Sequence, residues 1–122
     1  MVASINYFYL LFFFCLLSKG NCECSMNDIE ISQSTTGREV NGKQEWRATI
    51  RNKCVCSQYS VKFDCNGFNT VEKVDESILM VAGSVCLVNN GQPIFNSSPI
   101  SFTYAWDNAF PFSPLFSQVA CS

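Results

Sequence analysis

Strict alternation of apolar and polar residues recurs along this chain. In Glu45-Trp46-Arg47-Ala48-Thr49-Ile50-Arg51, the side chains of Trp46, Ala48 and Ile50 share one face, and the charged and hydroxyl residues share the other. Tyr59, Val61, Phe63 and Cys65 alternate with Ser60, Lys62 and Asp64. Phe102, Tyr104 and Trp106 alternate with Ser101, Thr103 and Ala105, and Ile29 and Ile31 with Asp28, Glu30 and Ser32. A period of two places successive side chains on opposite faces of a strand, so each run predicts a half-buried β-strand. Val71 to Met80 is the one stretch with any helical pattern, and that pattern is weak.

The turn chemistry agrees. Asn-Gly occurs at 41–42, 66–67 and 90–91. Asn and Gly tolerate the positive φ angles that a two-residue hairpin turn requires. The third predicts a hairpin from Cys86-Leu87-Val88-Asn89 into Gln92-Pro93-Ile94-Phe95, whose second strand lies at an edge because Pro93 has no N–H to donate. The tail Phe110-Pro111-Phe112-Ser113-Pro114-Leu115-Phe116 reads as an extended segment packed on the body, ending in a strand near Gln118 to Cys121. Seven or eight short strands predict a small antiparallel β-sandwich, with a small closed barrel as the alternative.

The N-terminus breaks this pattern. Residues 7–17 are apolar without interruption. The run is shorter than the ~20 residues a bilayer-spanning helix needs and matches the core of a secretory signal peptide. The alternative is an N-terminal membrane anchor. Small residues allow cleavage after Gly20 or after Cys22. The first cut leaves seven Cys and the second six, and six pair without a leftover thiol. The expected division is therefore a signal peptide over 1–22 and one cysteine-rich β domain over 23–122. The mature protein would be extracellular, with no membrane association after signal removal.

Composition narrows the function. The 122 residues include eight Cys and no His, and the net charge is −2. Without His there is no imidazole base for a triad and no imidazole metal ligand. Without a basic excess there is no electrostatic footprint for nucleic acid. Cys24, Cys54, Cys56, Cys65, Cys86 and Cys121 are expected in disulfides, since secreted cysteine-rich domains use bridges rather than zinc. Two Cys at i and i+2 of a strand point the same way, so Cys54 and Cys56 each need a distant partner. Six Cys allow 15 pairings. The working expectation joins Cys65 to Cys86, with Cys24 and Cys121 reaching the Cys54/Cys56 pair.

No catalytic, cofactor or metal residues emerge. Asp75-Glu76 point apart in a strand, Asp28 and Glu30 share a face, and neither pair defines the facing carboxylates of a glycosidase. Trp46, Tyr59, Tyr104 and Trp106 could form a sugar-stacking strip, but alternation assigns them to the core face. Asn96-Ser97-Ser98 is an N-glycosylation sequon, and Asn52-Lys53-Cys54 matches only the rare Cys variant. Arg47, Arg51 and Lys62 lie on exposed strand faces and are candidate contacts for a protein partner.

Several stretches carry a family resemblance. Cys24 precedes Asp28-Ile29-Glu30-Ile31-Ser32-Gln33, and Glu45-Trp46 opens a strand ending in Arg51-Asn52-Lys53-Cys54. Phe63-Asp64-Cys65-Asn66-Gly67-Phe68 follows, then Cys86-Leu87-Val88-Asn89-Asn90-Gly91-Gln92-Pro93-Ile94 and Phe102-Thr103-Tyr104-Ala105-Trp106-Asp107 before Cys121. In order and spacing these stretches resemble the tapetum determinant-like secreted proteins of plants. The resemblance implies a non-catalytic extracellular ligand that binds the leucine-rich-repeat ectodomain of a receptor kinase and acts in cell fate or development. A wall-associated carbohydrate-binding module is the alternative. The resemblance departs at the N-terminus, where Cys24 follows the expected cleavage site almost at once; the founding member has a longer segment there.

Overall fold

The run at 45–51 becomes the central strand of a three-stranded sheet. In a computed structural model that describes residues 24–121, β1 (Ile29–Val40), β2 (Lys43–Asn52) and β6 (Ile100–Ala105) form one antiparallel sheet in the order β1-β2-β6. β4 (Leu79–Ala82), β5 (Val85–Val88), β3 (Ser57–Asp64) and β7 (Ser113–Ala120) form the second, in that spatial order and also antiparallel. The sheets keep separate edges and close no barrel, so the β-sandwich is the architecture. No helix among the described residues is long and apolar enough to cross a membrane.

The core lies between the sheets and follows the alternation. Ala48 and Ile50 of β2 and Phe102 and Tyr104 of β6 meet Val61 and Phe63 of β3 and Cys86 and Val88 of β5. The Phe110–Phe112 segment seals one end. The Phe112 ring packs edge-on against Phe63, Phe102 and Tyr104, with centroids 5.8–6.3 Å apart. Tyr104 anchors this segment: its hydroxyl accepts from Phe110 N–H (2.8 Å) and donates to Gln33 Oε1, while Gln33 Nε2 donates to the Phe110 carbonyl (2.7 Å). The tail is thus held by hydrogen bonds as well as by aromatic burial.

The opposite end is polar and stapled. Disulfides join Cys24 to Cys54 and Cys56 to Cys121 there, with Cα separations of 5.6 and 4.5 Å, while Cys65–Cys86 (5.9 Å) lies at the other end of β3. Beneath the first two, Asn52 and Gln58 are fully buried. Asn52 Nδ2 donates to the Cys56 and Ile94 carbonyls, and its Oδ1 accepts from Cys54 N–H. Gln58 Nε2 donates to Asn52 Oδ1 and the Ser25 carbonyl, and its Oε1 accepts from the Ser117 hydroxyl. Burying amides is tolerable here because nearly every hydrogen-bonding atom has a partner.

Four local expectations are corrected. Asn41-Gly42 does form a two-residue hairpin turn, with φ of 51° and 82°. At the third Asn-Gly, however, Asn89, Asn90 and Gly91 all have positive φ. Three left-handed residues carry the chain away from β5, and Ile94 instead exchanges backbone hydrogen bonds with Gln58 (3.2 and 2.7 Å), so the hairpin over 86–95 does not form. Asn66-Gly67 closes a turn from Cys65 to Phe68 without a hairpin. Residues 71–80 form turns and the start of β4 rather than a helix. Thr70 Oγ1 accepts from Glu72 N–H, and Asp75 Oδ1 accepts from Ser77 N–H and hydroxyl, local bonds that compete with a helix. Finally, Ser60 sits in a bulge with φ of 52°. An extra residue shifts the side-chain register, so Gln58 points into the core and Tyr59 is displaced to the outer face.

Candidate binding surfaces

The partner-contact candidates fall on opposite sides of the sandwich. Arg47 and Arg51 project from the outer face of the three-stranded sheet, Arg47 opposite Ser34 and Thr103 and Arg51 opposite Glu30. Ser32 and Ser101 flank Thr49 between them, and the Thr49 and Ser101 hydroxyls bond at 3.0 Å. Neither Arg has an ion-pair partner among the described residues, whereas Lys53 reaches Glu30 at 3.9 Å. Lys62 projects from the other sheet, with its ammonium 5.4 Å from the Phe116 ring centroid. Sheets in a sandwich pack ~10 Å apart face to face, so the three cations cannot meet one partner group.

The two outer faces differ in character. Beside Arg47, an open groove of about 330 Å³ runs between β6 and the loop carrying Lys73, Asp75 and Ile78, with Ser101 and Thr103 on its floor. It brings Lys73 to Arg47. Their sequence separation hid this pairing; only the return of the 71–78 loop over β6 creates it. The other face carries a cross-strand row of Met80, Leu87, Lys62 and Phe116, one residue from each strand. That row is apolar apart from the Lys ammonium, and Lys stems cover apolar surface while the charge stays in water.

The structure also joins two carboxyl groups that the sequence did not pair. Glu45 of β2 accepts from the Thr36 hydroxyl (2.7 Å) and from Arg38 Nε (3.1 Å). Glu72 comes over the sheet edge, takes the Thr103 hydroxyl on Oε2 (2.8 Å) and meets Glu45, while its buried Oε1 has no partner with both groups ionised. Thr36 and the other donors hold the Glu45 carboxyl below its ordinary value. Loss of water, more than the neighbouring Glu45, pushes Glu72 up. A single proton between the two carboxyls would supply the bond that Oε1 lacks. Of the carboxylates singled out from sequence, Asp28 caps the turn at Ser25 (3.0 Å) and Asp75 is bound to Ser77.

The aromatic residues form no single platform. Tyr104 is buried, and Trp46 donates its indole N–H to the Trp106 carbonyl (3.2 Å) with both rings packed against the core. Lys43 lies over Trp106 at 5.0 Å. Tyr59 belongs to the other sheet. The sulfurs of Cys24, Cys54 and Cys56 lie within 4.8 Å of one another, close enough for a metal, but all three are in disulfides and offer no thiolate. Asn96 is exposed, with Nδ2 3.2 Å from the Asn52 carbonyl, while the Asn52 amide is buried and occupied.

Comparison with known proteins supplies what geometry does not. The family model described as "Tapetum determinant 1, C-terminal" matches residues 25–122. The chain is 30% identical over 102 residues to TPD1 protein homolog 1 of Arabidopsis thaliana, covering 81% of this chain and 56% of that protein. It is 30% identical over 100 residues to TPD1 protein homolog 1B of Oryza sativa subsp. japonica, covering 80% and 58%. With homolog 1A of the same species it shares 26% over 104 residues, covering 78% and 45%. The chain thus spans about half the length of the curated relatives it matches. No solved structure matches it.

Proposed function

The chain belongs to the tapetum determinant 1 family, and from that membership we propose that it is a secreted plant signalling protein acting in cell fate or development. In this reading residues 1–22 direct secretion to the apoplast, and residues 23–122 act without catalysis as a ligand for the leucine-rich-repeat ectodomain of a receptor kinase. The observation that carries the reading is the family match, which runs the length of the disulfide-stapled body. The physical form suits a ligand. Three bridges pre-organise the surface and lower the ordering cost of binding. Leucine-rich-repeat horseshoes offer the concave surface such a domain would meet. The groove with Arg47 and Lys73 is the contact we assign to an acidic group of the receptor, with Arg51 beside it and Lys62 outside that contact. The scattered aromatic side chains disfavour the carbohydrate-binding alternative.

The test expresses the whole chain in a secreting host and presents the secreted protein to a panel of plant leucine-rich-repeat ectodomains, with wall polysaccharides in parallel. Saturable capture by one ectodomain, lost on reduction, is expected. Polysaccharide binding with no ectodomain bound would overturn the reading. Unchanged receptor affinity in the Arg47→Glu, Lys73→Glu double variant would remove the assigned contact.

A further inference from the structure

Two of the three bridges meet at one point. The sulfurs of Cys24, Cys54 and Cys56 lie within 4.8 Å of one another, so one end of the Cys56–Cys121 bridge stands beside both sulfurs of Cys24–Cys54. The Cys24 sulfur is also 4.0 Å from the Cys56 carbonyl oxygen. Access is graded along this cluster. Cys121 is exposed, Cys54 and Cys56 are half-buried, and Cys24 is 7% exposed. The backbone between Cys54 and Cys56 is held without reference to which sulfur is paired. Asn52 Oδ1 accepts from Cys54 N–H (3.0 Å), and Asn52 Nδ2 donates to the Cys56 carbonyl (2.7 Å). Val55, between them, is 90% exposed, so no packed apolar side chain fixes the bend. The Cys65–Cys86 bridge is buried between β3 and β5, away from this cluster.

We propose that Cys24, Cys54, Cys56 and Cys121 form one thiol–disulfide exchange unit: a small thiol opens Cys56–Cys121, Cys56 then takes Cys24 as its partner, and Cys54 becomes the free thiol. The first step needs an external thiolate, supplied by a low-molecular-weight cysteine peptide. It attacks the exposed Cys121 Sγ, forms a mixed disulfide there and expels Cys56 as the thiolate. In the second step Cys56 Sγ attacks Cys24 Sγ. The Cys24–Cys56 bond forms, Cys24–Cys54 breaks, and Cys54 leaves as a thiolate that takes a proton from water. This step is internal and consumes no oxidant or reductant. Proximity favours it, since the attacking sulfur is already beside a bridge whose Cys24 end is closed to solvent. Attack on Cys54 would instead close a ring across Val55 alone, which disulfide geometry tolerates poorly. The outcome releases the end of β7 from its covalent tie to the start of β3. It keeps Cys24 tied to the bend and leaves a reactive thiol beside exposed Val55, open to a cysteine or disulfide of another molecule. The exchange stands independently of the receptor reading.

Thiol trapping on the secreted protein tests it. The wild type is exposed briefly to glutathione, quenched in acid and alkylated, and tandem mass spectrometry that breaks the chain at Val55 separates Cys54 from Cys56. The expected product has the alkyl mass on Cys54, the glutathione mass on Cys121, a Cys24–Cys56 cross-link and an intact Cys65–Cys86 bridge. Alkylation of Cys56 with Cys24–Cys54 unchanged overturns the exchange. So does label on Cys65 or Cys86 rising in step with label on Cys54, because the bonds would then be shuffling in an unfolded chain. Cys121→Ser isolates the second step by leaving Cys56 without its partner. In this variant, with circular dichroism matching the wild type, the alkyl mass is expected on both Cys54 and Cys56. Label confined to Cys56 overturns the exchange. Should the variant not be secreted, the glutathione experiment on the wild type decides alone.

Discussion

Gln58 donates from Nε2 to Oδ1 of Asn52 at 3.2 Å, both side chains out of contact with water. This bond links the end of β2 to the start of β3, and its partners tie in the Ser25 turn, the Cys54–Cys56 loop, Ile94 and β7. These segments are thus tied together by two amides and two disulfides.

Removing one amide strands its partners. Asn52→Ala leaves the Cys54 N–H and the Cys56 carbonyl without their bonds to Asn52. These groups are partly buried; a buried orphan costs about 1–3 kcal/mol, and each kcal/mol is worth roughly 4–8 °C in a domain of this size. Thermal unfolding of Asn52→Ala is expected at least several degrees below the wild type. An unchanged midpoint would show that water replaces the amide at no cost.

The Glu45–Glu72 contact predicts a pH dependence with a definite sign. Burial raises Glu72 above its ordinary value of 4.5, so its contribution is complete below that value and fades as pH climbs through the folded-state value. Glu45 is lowered, so its contribution is present above 4.5 and is lost only as pH falls through its own depressed value. Just above 4.5 the wild type is therefore expected to lose stability with rising pH. Glu72→Gln, which keeps a donor without a titrating proton, should flatten that slope. Melting curves across this range check it; equal slopes in the two proteins would exclude a shared proton.

The three bridges are not equally accessible. Cys65 and Cys86 are buried between β3 and β5, whereas Cys121 is exposed at the end of β7. Thiol exchange requires access to a sulfur. Under mild reduction with alkylation and mass mapping, Cys56–Cys121 is expected to open first and Cys65–Cys86 last. Early labelling of Cys65 would contradict the packing.

Glycan occupancy should separate the two candidate sites. Asn96 is exposed in the loop before β6, while Asn52 is buried with its amide hydrogens engaged. Peptide N-glycosidase treatment of the secreted protein is expected to convert Asn96 alone to Asp. Conversion at Asn52 would mean that the glycan is added before the domain closes and prevents the fold described here.

Much of the fold was legible because strand periodicity is a local property. The faces of β1, β2 and β6 follow from apolar residues at every second position, and Asn41-Gly42 is a turn because those two residues accept positive φ in any context. The cysteine content and the two most specific short stretches, Cys86 to Ile94 and Tyr104 to Asp107, were enough to assign a family. What failed was decided at a distance. The bulge at Ser60 reverses Tyr59 and Gln58 because β7 and Ile94 claim the backbone on either side of β3. Residues 71–80 turn instead of coiling because Val71 bonds to Ala105 of β6.

The same division governs function. The sequence by itself determined the strand faces, the class of fold and the residues that could carry charge to a partner, because side-chain type and alternation need no tertiary information. Only the packed structure decided that Arg47 lies near Lys73 while Lys62 lies on the opposite face, that Glu45 and Glu72 share one environment, and that β7 takes the outer place beside β3. Each depends on which distant segment crosses which strand, and that is set by the closing of the two sheets over a common core.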